Sequence, residues 1–108
     1  MKTRISSEIC ERILRNFMDL IILKELGYNA KISGYDIIVL IHQKFHLLLS
    51  PGSVYSVLYA MERKGLVEGT LTSQKRVYRL SKKGEEEVQN ILRNRDKIQL
   101  LLESVFCK

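Results

Sequence analysis

Leu49-Ser50-Pro51-Gly52-Ser53-Val54-Tyr55 opens a stretch that continues through Leu58-Tyr59-Ala60-Met61-Glu62-Arg63-Lys64-Gly65-Leu66-Val67 to Arg76-Val77-Tyr78-Arg79-Leu80. Its first residues predict a helix start. Ser50 suits the N-cap, and Pro51 suits the first helical position, where a missing N–H costs nothing. Val54, Val57, Leu58 and Met61 then recur at helical spacing and form a stripe for burial. Ser53, Tyr55, Ser56, Tyr59 and Arg63 fall on the other side, and Gly65 ends the helix. Leu66-Val67-Glu68 and Arg76 to Leu80 read as two antiparallel strands, with Gly69 through Lys75 as a polar loop between them. The expected product is a helix over 50–64 followed at once by a two-stranded ribbon over 66–80.

Upstream, Ser6 and Ser7 before Glu8 and Glu11 suit a helix start, with a cap and negative charge in the first turn. Ile9, Ile13, Phe17, Leu20 and Ile21 form its stripe, and Met18, Ile22 and Leu26 widen it, so the helix is expected to run over 7–26 and end at Gly27. Tyr28 to Ile32 is a connector with room for a minimal strand. Ser33-Gly34-Tyr35-Asp36 fits a capping box, which predicts a helix over 33–45 despite the β-branched run Ile37-Ile38-Val39. Downstream, Ser81 caps a last helix with Glu85, Glu86 and Glu87 near its start. Its apolar spacing, Val88, Ile91, Ile98, Leu102 and Val105, is heptad-like and is interrupted by Arg95. A long helix with a single seam needs a partner, either the first helix or a second copy of the chain.

Helix, helix, helix, strand, strand, helix is a mainly α (α+β) order, that of a winged helix-turn-helix with an additional C-terminal helix. At 108 residues the chain is one domain. Residues 1–80 carry the winged part, and 81–108 form a dimerisation helix within the same domain. Net charge is +6, and it is concentrated: Arg63, Lys64, Lys75, Arg76, Arg79, Lys82 and Lys83 face only Glu68 between positions 63 and 83. Such a patch fits a polyanion, double-stranded DNA above all; a solvated basic face is the bland alternative. The reading sets the ribbon's cations beside the amino end of helix 50–64. No apolar run reaches membrane-span length, and the basic start Met1-Lys2-Thr3-Arg4 lacks the rest of a secretion signal. The expectation is a cytoplasmic protein with no membrane partner.

Cys10 and Cys107 give neither a disulfide scaffold nor a metal spacing, though packed terminal helices could bring them together. His42 and His46 share a helical face at zinc-protease spacing, but Gln43 stands where that chemistry needs a glutamate, and no third ligand is evident. Nucleophile triads, phosphate-binding loops and dinucleotide fingerprints do not occur, so an enzyme is not expected, and neither a cofactor nor a metal is assigned.

Ser33-Gly34-Tyr35-Asp36-Ile37, the run from Leu49 to Tyr55, that from Leu58 to Val67, and Arg76 to Gly84 together resemble the PadR family of transcriptional regulators. The similarity runs from Leu20 to Ile91. It implies a homodimeric repressor or regulator whose helix 50–64 enters the major groove, whose wing touches the backbone, and whose C-terminal helix builds the dimer. With one helix after the wing, the chain is like the small members of that family.

Helix N-termini bind phosphate, so Ser50, Gly52 and Ser53 are expected at the DNA. Ser53, Ser56 and Tyr59 are candidates for base edges or sugars, and Tyr55 resembles the family tyrosine that reaches a phosphate. Packing against the preceding helix is the alternative for Tyr55 and Tyr59. Tyr35 is a further backbone contact. Lys75 and Arg76 are expected on phosphates or in the minor groove, supported by Arg79 and Lys64. Ile9, Ile13, Phe17, Val88, Ile91, Arg95, Ile98, Leu102 and Val105 are the expected dimer contacts. No small-molecule effector is evident, and that question stays open. The competing readings are a winged-helix protein-interaction module and a non-specific architectural DNA binder.

Overall fold

The computed structural model describes residues 7–28 and 31–107. The expected cap at Ser6, the basic start and the connector residues Asn29 and Ala30 lie outside them. The elements run α1 (Ser7–Asn16), α2 (Met18–Tyr28), β1 (Ile32–Ser33), α3 (Gly34–Phe45), α4 (Pro51–Arg63), β2 (Val67–Thr72), β3 (Lys75–Leu80), α5 (Lys82–Arg93) and α6 (Arg95–Phe106). The three strands form one antiparallel sheet in the order β1-β3-β2. This is a helix-rich winged helix, as the sequence order implies.

Met18, Ile22, Leu23 and Leu26 of α2, Ile37 and Ile41 of α3, and Val54, Leu58 and Met61 of α4 meet in the core with Leu49, Val67, Tyr78 and Val88. Each of these three helices contributes a stripe at three- and four-residue spacing, and burying it stabilises the fold by roughly 1.5–3 kcal/mol per fully buried large side chain. The capping box at Ser33 forms in full. Asp36 N–H donates to Ser33 Oγ at 3.1 Å and Ser33 N–H to Asp36 Oδ2 at 3.3 Å. That box outweighs the β-branched run behind it and starts α3 where the sequence predicts. The connector's minimal strand is also present, with Ile32 opposite Tyr78 and Ser33 opposite Val77.

Three boundaries differ from the sequence reading. The expected helix 7–26 is two helices that break at Phe17, and the second runs past Gly27 to Tyr28. Hydrogen bonds carry on through the break, Phe17 N–H to Ile13 C=O and Ile21 N–H to Phe17 C=O. α2 buries several sides, whereas most of α1 keeps its charged face in water. The long C-terminal helix is likewise broken, at Asn94. There the Asn94 side chain donates to the Asn90 carbonyl at 2.8 Å and competes with the backbone ladder, a known cause of helix bending. Finally, most of the expected loop from Gly69 to Lys75 is strand. Thr72 pairs with Lys75, so only Ser73 and Gln74 turn, with Ser73 at φ 56°.

α5 packs on the globule through Gly84 and Val88, whereas α6 buries none of its residues. An apolar groove of about 390 Å³ lies between them and the α1–α2 junction. Phe17, Leu20, Ile21, Val88, Ile91, Leu92, Ile98 and Leu102 line it together with Lys24. Sharing a hydrogen bond with Lys44, and then burial, hold the Lys24 ammonium below its usual range. Lys44 in turn pairs with the buried Glu25 at 3.2 Å. Among the described residues no helix is long and apolar enough to cross a membrane.

Candidate nucleic-acid interface

α4 presents one face to the core and the other to water. Val54, Leu58 and Met61 are buried, while Gly52, Ser56, Tyr59 and Arg63 stand on the exposed side. The helix opens as its sequence dictates. Ser50 Oγ accepts the Ser53 N–H at 3.3 Å and also lies 2.7 Å from Ser53 Oγ. Both hydroxyls are thereby engaged with each other and the helix end. Gly52 is exposed, and a Cβ placed on it would meet nothing within 4 Å. The amino end of α4 is thus open to a close-approaching anion.

The carboxyl end closes with a full Schellman turn. Gly65 takes φ 78°, its N–H donates to Glu62 C=O, and Leu66 N–H donates to Met61 C=O. The next helix is fastened to this turn. Ser81 N–H donates to Leu66 C=O at 3.0 Å, Ser81 Oγ–H to Gly65 C=O, and Lys83 Nζ to Lys64 C=O at 2.9 Å. Gly84 lies so close beneath that a Cβ there would run into the Leu66 carbonyl. The residues that start α5 therefore hold the end of α4.

Tyr55 is half-buried, and its ring covers Gly34, where any Cβ would overlap it. It packs against the preceding helix, one of the two readings its sequence left open. Its ring sits 6.3 Å from that of Tyr59, which is 48% exposed. Tyr35 is 67% exposed at the start of α3. Lys64 and Lys75 are exposed, and no acidic side chain pairs with either ammonium among the described residues.

The wing's two arginines are engaged within the protein. Arg79 Nε donates to Glu68 at 3.1 Å across the hairpin. Arg76 leaves the hairpin to pair through Nη2 with Glu62 Oε2 on α4. Its guanidinium sits 5.8 Å from the Tyr78 ring centroid, and Glu62 holds it above its usual pKa. The hairpin thus meets α4 at Glu62, roughly 16 Å along the axis from Pro51. Arg76 lies beside the carboxyl-terminal half of α4, not beside its amino end as the sequence reading expects. Neither Glu62 nor Gly69 stood out in the sequence, although Glu62 is three residues from Tyr59 and so shares its helix face.

His42 and His46 are exposed at the end of α3, where His46 adopts φ 57° and donates its N–H to the His42 carbonyl. Among the described residues no three potential ligands gather around a metal-sized space. Cys10 is half-buried and Cys107 exposed, both as free thiols.

Residues 22–90 match the model of the transcriptional regulator PadR-like family. The chain belongs to that family. Solved PadR-like structures share its fold. A transcriptional regulator from Clostridium thermocellum superposes with a TM-score of 0.74 at 21% identity, over 97% of this chain and all (100%) of the other. A PadR-like regulator from Bacillus cereus gives 0.74 at 20% identity, over 90% and 98%. Bacillus subtilis PadR, solved with operator DNA, gives 0.63 at 23% identity over 69% of this chain and 46% of its own. No curated protein matches. As a PadR-like protein, the chain is a transcriptional regulator, and the family is not one of enzymes.

Proposed function

We propose that this regulator binds double-stranded DNA sequence-specifically as a homodimer and represses by occupying its site. In this reading residues 1–80 hold the duplex and 81–108 join the two chains. α4 enters the major groove, and the β2–β3 hairpin rests against the backbone or minor groove. One observation carries the proposal: α4 leaves Gly52, Ser56, Tyr59 and Arg63 uncovered opposite its core face, beside a hairpin that carries the exposed Lys75. Helix N-termini attract phosphate through free N–H groups and the helix dipole, which gives the open end at Gly52 its role. The operator-bound Bacillus subtilis relative supports the same partner.

The groove beside α5 supports the dimer. It brings together Phe17, Val88, Ile91, Ile98 and Leu102 of the expected contacts. Ile9, Arg95 and Val105 are exposed. Ile13 is half-buried on α1, outside the groove's lining. Leu100, Leu101 and Phe106 of α6 add exposed apolar surface that the sequence reading had not included. A two-fold dimer predicts palindromic half-sites about one helical turn, roughly 34 Å, apart.

Selection from random duplexes, followed by titration against salt, tests the reading. The expected result is a palindromic site with binding that weakens steeply as salt rises. Lys75→Ala removes one phosphate contact from each half of the dimer and should flatten the log–log salt slope by about 1.8. Equal affinity for selected and random duplexes would assign a non-specific architectural binder instead, and absence of binding at low salt a protein-interaction module.

A further inference from the structure

We infer that Glu62 and Arg76 are a positioning pair that sets the wing's angle on α4, and that Arg76 is not one of the phosphate contacts. The inference rests on the DNA-binding reading and refines it. Four observations converge on this guanidinium. Glu62 on α4 takes one of its N–H groups in a direct ion pair. Tyr78, buried in the core, offers its ring face beneath it at 5.8 Å. Gly69 lies opposite Tyr78 in the hairpin, and a Cβ there would stand 2.7 Å from Arg76 Nε. A side chain at that point would have to displace the guanidinium from where it lies across the strands. Tyr78 and Leu80 share the hairpin face of Arg76, the face that packs inward, whereas Lys75 points to the opposite face.

A guanidinium suits this work because its planar fork meets a carboxylate and stacks on an aromatic ring together, which an ammonium cannot do. The ion pair is partly solvated, so its role is geometric more than energetic. It ties the hairpin to α4 in addition to the core that Val67 and Tyr78 share with Leu58 and Met61. In a winged helix the hairpin and helix must engage the duplex together. Fixing the angle between them fixes which groove width satisfies both, and groove width depends on sequence. The pair therefore acts on discrimination through shape.

The paired neutral variant Glu62→Gln with Arg76→Gln isolates this role, because it leaves net charge unchanged. On the duplex selected by the wild-type protein, the salt slope should stay the same, since no phosphate contact is lost. Preference for that duplex over random DNA should fall about tenfold. A slope flattened by about 1.8, from one Arg76 in each half of the dimer, or a preference that is retained, overturns the proposal. Should the double variant fail to melt cooperatively, Arg76→Lys keeps the charge and removes the planar fork. It should show the same loss of preference at unchanged slope, and retained preference in that variant equally overturns the proposal. Failure of the wild-type chain to bind any duplex would defeat the DNA-binding reading, and this inference with it, whatever the variants do.

Discussion

Gly52 and Tyr78 separate what a side chain does for the fold from what it does at the surface. Gly52 has open space around it, so Gly52→Ala should leave the melting stability within about 0.5 kcal/mol or raise it slightly. A methyl group there would intrude between the helix end and a phosphate. DNA affinity should therefore drop about tenfold, near 1.4 kcal/mol, in a binding titration. Tyr78 has its hydroxyl buried without a hydrogen-bond partner among the described residues, and burial raises its pKa. Ionisation of that phenol is disfavoured in the fold, so its contribution to stability is full below the ordinary tyrosine range and is lost as pH rises through the raised value. Tyr78→Phe should keep the ring beneath Arg76, match or exceed wild-type stability by about 1 kcal/mol, and lessen the alkaline loss seen in thermal melts. A melting point well below wild type would mean the hydroxyl has a partner. The sequence disclosed Ser50, Pro51, Gly52 and the capping box because those residues act locally. It did not disclose Glu62 or Gly69, whose meaning comes from Arg76 fourteen and seven positions away.

The elements α4, hairpin and α5 behave as one part because their ends are bonded together. Ser81 and Lys83 donate to carbonyls of the turn that ends α4, and Gly84 fits beneath Leu66. Two effects oppose each other in Gly84→Ala. Alanine favours a helix over glycine by about 1 kcal/mol, whereas forced overlap in a packed site costs about 1–3 kcal/mol or more. The overlap here is with backbone, which yields little, so the variant should melt lower than wild type; a higher melting point would show that α5 is not seated as described. The periodicity of apolar residues made the helices legible, yet it hid the breaks at Phe17 and Asn94. Apolar spacing continues through both points, and so do backbone bonds, Ile21 N–H to Phe17 C=O and Ile98 N–H to Asn94 C=O, while at Asn94 the side chain also bonds the Asn90 carbonyl. The hairpin's length was hidden for a related reason. Gly69, Ser73 and Gln74 made the segment read as loop, but Thr70, Leu71 and Thr72 between them pair with Val77, Arg76 and Lys75, as the strand preference of threonine allows.

The assembled protein is elongated, 50 × 29 × 21 Å, with α6 reaching beyond the core that the other helices build. Leu100, Leu101, Val105 and Phe106 are exposed on that arm, and the proposed homodimer would cover them. Leu102→Asp places a charge in the groove beside α5. Sedimentation should then show single chains where wild type gives pairs, and binding to a duplex with two half-sites should weaken at least tenfold, while a single half-site is bound about as before. Unchanged mass would place the dimer contact elsewhere. What the duplex itself touches is read most directly by an amide-resolved NMR titration of the full chain with its selected DNA. The largest shifts should fall at Gly52 and Ser53, along the exposed side of α4 to Arg63, and at Lys75. Shifts confined to α6 and the apolar groove, with α4 unmoved, would contradict the assignment of α4 and the wing as the DNA-binding surface.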